Sequence, residues 1–365
     1  MAIPAQHESR EEELYPALRH PYYIVAPRYI GTSAGVKALH LLCHTLNRTG
    51  ERAYLVVHPN WTLKDFTHPD LLTPVLTPEG EALDFSRGLT PITVYAETVA
   101  GNPFAAPFVV RYVLNFPGLL GGDRGYRSEE YLVAYSRALA ESVGAGERVL
   151  FIPASDPLLF KPEPRVPRSG TCFYAGKYKY FHRAPLLPVT ANSTEITRDM
   201  PGSQSPVQIA ELFRRSELFY CYENSALAIE ALLCECPVVF LPNAHFERAI
   251  GATEIGWDGI AWGADPAEVA RAIATVRQGR DNYLRAYAAY WRALETLIED
   301  TQRLAGEVRY ARRMSIPYRR VPYLVHKWFS IRYGLPIVIA NHGWAALFRI
   351  ILRKLGFRLQ GQPVP

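Results

Sequence analysis

Three polar residues at one point in the chain could do chemistry together. Glu223, Asn224 and Ser225 stand between an apolar run at 218–222 and a helix-like run at 226–234, and a second apolar run follows at 238–241. Strand, polar turn, helix and strand within residues 218–242 is the grammar of a βαβ unit. In such a unit the turn lies at the carboxyl end of a strand, where the helix start offers unpaired N–H groups to an anion. Three more charged residues follow predicted strands: Glu97 after 93–96, Lys177 after 171–175 and Gly176, and Arg198 after 187–190. Carboxylates placed this way can hold hydroxyls or take a proton. Lys177 or Arg198, together with backbone N–H groups, can offset charge that develops on a departing diphosphate. The chain has no Asp-x-Asp pair, no His/Cys cluster at metal-ligand spacing, no G-x-S-x-G elbow and no Walker loop. The expected chemistry therefore uses no metal and no cofactor beyond its substrate.

The elements that must position these residues fall into two halves. At 365 residues, 48% hydrophobic and 21% charged, the chain suits two globular domains of ordinary size. The first half opens with a strand at 22–26, the loop GTSAG at 31–35, a helix at 36–49 and a strand at 53–57. GTSAG lacks the G-x-G-x-x-G order. Gly31 and Gly35 either let the helix pack close to its strand or admit a ligand to the helix start. After Glu97, Asn102 can cap and Pro103 can begin a helix read at 107–115. Arg111, on this otherwise apolar stretch, either pairs in the core or reaches outward. A helix at 129–142 and a strand at 148–153 follow. The Pro-rich segment 156–170 is the expected domain boundary.

The second half repeats the pattern, with strands at 171–175 and 187–190, a helix at 206–215 and then the stretch around Glu223. Asp265, Pro266 and Glu268 signal the start of a long helical region to about Met314, broken near Gly279. The five cysteines are odd in number and scattered, which fits a reducing cytosol better than a disulfide framework. The polar, acidic N-terminus does not read as a signal peptide. The expected class is α/β: two Rossmann-like domains facing a cleft, followed by C-terminal helices. The expected boundaries are 1–160, 161–314 and a basic tail at 315–365.

Two segments carry a resemblance. The stretch 220–242, with its tyrosine pair, acid, hydroxyl, helix and Cys-x-Cys strand entry, resembles the nucleotide-binding βαβ of GT-B fold glycosyltransferases, especially the bacterial polysaccharide and lipopolysaccharide group. Independently, YAETVAGNPFAAPFVVRYVLNFPG at 95–118 is similar to a YPE…GNP…VVRW-L-N-x-PG segment of the same group. The resemblance implies a nucleotide-diphosphate sugar as donor and a glycan or lipid-linked acceptor in cell-surface polysaccharide synthesis. It implies that Glu230 holds the ribose hydroxyls and that Glu223, Asn224 and Ser225 meet the diphosphate or the sugar. Lys177 matches the cation after the first strand of the donor domain. Glu97 and Asn102 match the facing segment. Gly31, Gly35, Asn102 and Arg111 are expected on the acceptor side, and Glu97 or Asp123 would be the general base if the reaction inverts. Glu223 and Glu230 stand E-x6-E apart where many retaining members have E-x7-E, which leaves the stereochemistry open. The alternatives are a sugar-nucleotide epimerase of the same fold and a non-catalytic scaffold or lipid-binding relative.

The basic excess sits at the end. From Thr301 onward there are twelve Arg and Lys against one acid, Glu307, so the body is net acidic and no nucleic-acid partner is expected. Residues 333–348 carry no formal charge but are too short to span a bilayer. Trp344, Leu347, Phe348, Ile351, Leu352 and Leu355 then recur at helical spacing among Arg349, Arg353, Lys354 and Arg358. Such a helix is either an interfacial anchor for an anionic membrane, on its cytoplasmic face, or a closing helix packed on the first domain.

Overall fold

The computed structural model describes residues 18–58, 67–198 and 202–318. The tail beyond 318 lies outside them, as does the membrane-anchor expectation that rests on it. The first half comprises β1 (Tyr22–Ala26), α1 (Ala34–Arg48), β2 (Ala53–Val57), α2 (Pro78–Ser86), β3 (Ile92–Ala96), β4 (Phe108–Val113), β5 (Tyr131–Ala134) and α3 (Arg137–Val143). Its five strands are all parallel, in the order β2-β1-β3-β4-β5. The strand sequences YYIVA, ITVYA and FVVRYV are buried along their whole length, as inner strands of a parallel sheet must be.

The second half comprises β6 (Thr171–Tyr174), a π-helical turn Gly176–Phe181, a 3₁₀ turn Pro188–Thr190 and β7 (Thr194–Glu195). These are followed by α4 (Pro206–Arg215), β8 (Leu218–Cys221), α5 (Ala226–Leu233), β9 (Val238–Phe240), α6 (Ala252–Ile255), β10 (Ile260–Trp262) and α7 (Pro266–Glu307). Its strands are again all parallel, in the order β10-β9-β8-β6-β7. The architecture is thus two Rossmann-like α/β halves, each with its own core, followed by a long C-terminal helix.

Several local expectations give way to tertiary pairing. The segment read as a helix around Arg111 is strand β4, held between β3 and β5. Its β-branched and aromatic side chains suit a central strand. The segment 129–142 is not one helix. It forms β5, then α3 capped by Ser136, whose hydroxyl accepts from the Leu139 N–H. The segment 148–153 contributes one bridging residue, Val149 against Ala134. Near 187–190 the chain makes the 3₁₀ turn, started by Pro188, and the strand comes later as β7. Helix α7 runs unbroken through Gly279. A β-carbon there would stand 2.1 Å from the Asp258 carbonyl oxygen, so this glycine allows a close approach and does not end the helix.

Helix α7 ties the halves together. Tyr283 packs in the second core, whereas Tyr290, Leu294, Leu297 and Ile298 pack in the first. The Tyr283 hydroxyl donates to the Ser155 carbonyl at 3.0 Å. By packing, the C-terminal part of α7 belongs with the first sheet, although it follows the second in sequence.

Candidate functional site

The carboxyl ends of the two sheets face one another across a cavity of about 830 Å³, a size suited to a cofactor-sized ligand. From the first half, the loop after β1, the start of α1, and the turns after β3 and β4 reach the cavity. From the second half, the turns after β6 and β8, the start of α5 and the loop at 249–252 reach it. Helix α1 starts at Ser33, whose hydroxyl accepts from the Val36 N–H. Helix α5 starts at Ser225, whose hydroxyl accepts from the Leu227 N–H. Ala34, Gly35 and Ala226, in the first turns of these helices, line the cavity. The positive ends of two helix dipoles therefore point into one space, one from each half.

The second wall holds the cations. Lys177 and Arg198 line the cavity with Glu223, Asn224 and Ser225. Glu223 Oε2 accepts from the backbone N–H groups of Lys177 at 2.6 Å and Tyr178 at 3.3 Å, which ties the turn after β8 to the turn after β6. Asn224 staples the loop: its Nδ2 donates to the Arg248 carbonyl at 2.8 Å and its Oδ1 accepts from the Ile250 N–H at 2.8 Å. Glu230 is on α5 behind the wall, 4% exposed, and pairs with Arg198 at 3.1 Å. Its contact is with that guanidinium, so its influence on a ligand passes through Arg198.

One residue of this cluster escaped the sequence reading. Lys37, on α1, is largely buried. Its amine is held below the ordinary lysine range by burial, against the pull of Glu230 and Asp156. Helix α1 belongs to the first half and Glu230 to the second, so the charge cluster spans both. A signal was present: a lysine in the first turn of a helix opposes the macrodipole, which favours cations at the other end.

The first wall carries a single charged side chain among the described residues, Glu97. It follows β3, is 3% exposed, and accepts at one oxygen from the Leu114 N–H at 2.9 Å. Burial pushes its carboxyl above the ordinary range, and the Leu114 bond and the Arg111 charge pull it back only in part. Glu223 and Glu230 are raised too, in each case by burial first, with Lys177 and Arg198 respectively the largest opposing charge.

Three residues expected in the cleft or at the chemistry are in fact the scaffold of Glu97, and none of them lines the cavity. Arg111 is fully buried in β4. Its guanidinium pairs with Glu130 at 2.9 Å and donates to the carbonyls of Val99 and Gly101 at 2.6 and 2.8 Å. Asp123 is spent on the same turn, accepting from the Gly101 N–H at 2.6 Å, and so is not placed as a base. Asn102 closes the next turn: its Oδ1 accepts from the Ala106 N–H and its Nδ2 donates to the Ala106 carbonyl, at 2.8 and 2.9 Å. Gly31 adjoins the cavity without lining it. Gly35 lines it, and a β-carbon there would make only ordinary contact with Leu114, so close packing does not require glycine.

The turn bearing Glu97 is also pressed from outside. Gly122 has φ +77°, and a β-carbon there would stand 1.9 Å from the Glu97 carbonyl oxygen. Gly122→Ala is expected to lose about 1–3 kcal/mol through left-handed strain alone, with the clash adding to it and displacing Glu97. Thermal unfolding of the variant would show the loss, and unchanged stability would contradict this packing.

The chain is similar, at low identity, to several solved glycosyltransferase structures. SnogD from Streptomyces nogalater is 15% identical, matches 79% of this chain and 100% of its own, and has a TM-score of 0.41. WaaG, a glycosyltransferase involved in lipopolysaccharide biosynthesis, is 10% identical over 77% of this chain and 99% of its own, with a TM-score of 0.41. T4 phage BGT, in complex with UDP and Mn2+, is 9% identical over 77% and 99%, with a TM-score of 0.43. No family model matches the chain, and no curated protein matches it in sequence.

Proposed function

We propose that this protein is a glycosyltransferase that moves a sugar from a nucleotide-diphosphate donor to an acceptor hydroxyl. The observation that carries this reading is the division of labour across the cavity. One wall offers Lys177, Arg198 and the start of α5, and the other offers a lone buried carboxylate. A diphosphate needs cations and inward-pointing N–H groups. An attacking hydroxyl needs a base of raised pKa, and burial gives Glu97 that property.

In the proposed reaction the acceptor oxygen bonds to the anomeric carbon as its proton passes to Glu97. The bond from that carbon to the phosphate oxygen breaks, and its electron pair leaves with the nucleoside diphosphate. Lys177, Arg198 and the start of α5 balance the charge that forms there. Displacement with Glu97 as base inverts the anomeric centre. The donor set on the diphosphate side is cationic, which favours a reaction that does without a resident metal ion.

The test is calorimetric titration of UDP, GDP, dTDP and CMP, with and without EDTA. One of the three diphosphates is expected to bind in both conditions, and CMP, a monophosphate, is not. Arg198→Ala should weaken binding of that diphosphate roughly 10–100-fold, the worth of a charge-assisted contact to phosphate. Failure of all three diphosphates to bind would overturn the reading. Turnover of a nucleotide sugar without any acceptor, yielding its epimer, would point to an epimerase instead.

A further inference from the structure

One of the two cations on the donor wall is already engaged. Arg198 lines the cavity, yet its guanidinium donates to Glu230 Oε2 at 3.1 Å, and its side chain is 14% exposed. Glu230 stands on α5 behind that wall and is buried. An incoming diphosphate must therefore compete with a buried carboxylate for the same guanidinium. If Arg198 simply turned to the phosphate, Glu230 would remain as an uncompensated charge out of water, which is strongly disfavoured.

A second cation stands on the other side of the same carboxylate. Arg198 and Lys37 are the charges that oppose burial at Glu230, and Glu230 is the acid that acts most strongly on Lys37. Among the described residues the Lys37 amine makes no ion pair or hydrogen bond of its own. Its chain neighbours Val36 and Ala38 line the cavity, whereas Lys37 does not. Asp156, the other acid near it, has one oxygen bound to the Leu158 N–H at 2.8 Å. Arg198 also repels Lys37, so its departure from Glu230 would free the carboxylate and lift that repulsion together.

We propose, resting on the donor reading above, that Lys37 relieves Arg198 of Glu230 when a diphosphate enters. The guanidinium turns to the phosphate oxygens, and the lysine takes the vacated carboxylate. Charges are re-paired and no bond is made or broken. Lys37 is thus a positioning residue: it acts on the donor through Glu230 and Arg198. Glu230 governs the availability of Arg198 and is not itself a ligand of the ribose. Because Lys37 rides on α1, donor affinity depends on a residue of the first half.

The experiment is calorimetric titration of UDP, GDP and dTDP into the full-length chain and four variants: Lys37→Met, Lys37→Arg, Glu230→Gln, and Lys37→Met with Glu230→Gln. Lys37→Met is expected to weaken the diphosphate that binds by roughly tenfold. Its thermal unfolding without ligand should match wild type, because Arg198 still pairs with Glu230 there. Lys37→Arg should restore binding. Glu230→Gln should bind no more weakly than wild type, and in its background Lys37→Met should have no further effect. Wild-type affinity in Lys37→Met overturns the proposal. So does an undiminished effect of Lys37→Met in the Glu230→Gln background, which would place the lysine on the phosphate itself. Weaker binding by Glu230→Gln also overturns it, because the carboxylate would then touch the nucleotide. Each of these results leaves the donor reading standing, whereas binding of none of the three diphosphates to wild type would sink that reading and the proposal with it.

Discussion

Glu97→Gln is expected to lower the rate of glycosyl transfer by about 10²–10⁴-fold, the usual contribution of a positioned general base. Nucleotide affinity should hardly change, because the diphosphate contacts proposed here lie on the opposite wall. The side chain is nearly isosteric, and its amide oxygen can still accept from the Leu114 N–H, so the turn should keep its shape. The pH dependence separates this from a structural effect. Burial raises the Glu97 carboxyl above its ordinary value of 4.5, so the basic form appears only as pH rises through the raised value. The wild-type rate should climb over that limb, and the variant should lack it.

Stability runs the other way. A group whose pKa is higher in the folded state contributes stability that is fully present below the unfolded value and is lost as pH rises through the folded one. The always-neutral glutamine escapes that loss. Glu97→Gln should therefore match wild type in thermal unfolding at acidic pH and exceed it at mildly alkaline pH. A variant that transfers sugar at the wild-type rate would remove Glu97 from the mechanism.

Arg111→Met is expected to cost about 3–5 kcal/mol of folding stability, the typical effect of breaking a buried ion pair from one side. Glu130, whose side chain is 6% exposed, would be left without its partner, and the carbonyls of Val99 and Gly101 would lose their donor. The double variant Arg111→Met with Glu130→Leu should recover much of the stability, because no uncompensated charge remains. Transfer should not recover with it, since the turn from Glu97 to Gly101 would still lack the guanidinium that gathers its carbonyls. Urea denaturation and initial rates on the same samples test both halves of the statement. Recovery of rate together with stability would show that Arg111 acts on folding alone.

This pairing explains the segment 95–118 as a unit. Asn102 closes a turn, Arg111 gathers carbonyls of the turn after β3, and Asp123 takes the Gly101 N–H. The GNP and VVR features that the sequence resemblance picked out are parts that hold Glu97 in place. Their residue types, a carboxamide and a guanidinium near strand ends, look the same in a sequence whether they meet a ligand or a backbone carbonyl. Only the fold distinguishes the two.

The sequence by itself determined the local elements whose signals are local. The βαβ around Glu223 and the start of α7 at Asp265 follow from hydrophobic period and capping chemistry within a few residues. The position of Glu97 just past a strand end was likewise legible, whereas its burial was not. Tertiary structure decided that Phe108–Val113 is a strand, because its pairing between β3 and β5 outweighs any helical reading of an apolar run. It decided that Arg111 and Asp123 face the back of the Glu97 turn, through contacts with residues ten or more positions away. It also decided that Lys37 comes within electrostatic reach of Glu230, a carboxylate on the other half of the chain. Such long-range placements depend on how two sheets and a shared helix pack, and no window of sequence contains that information.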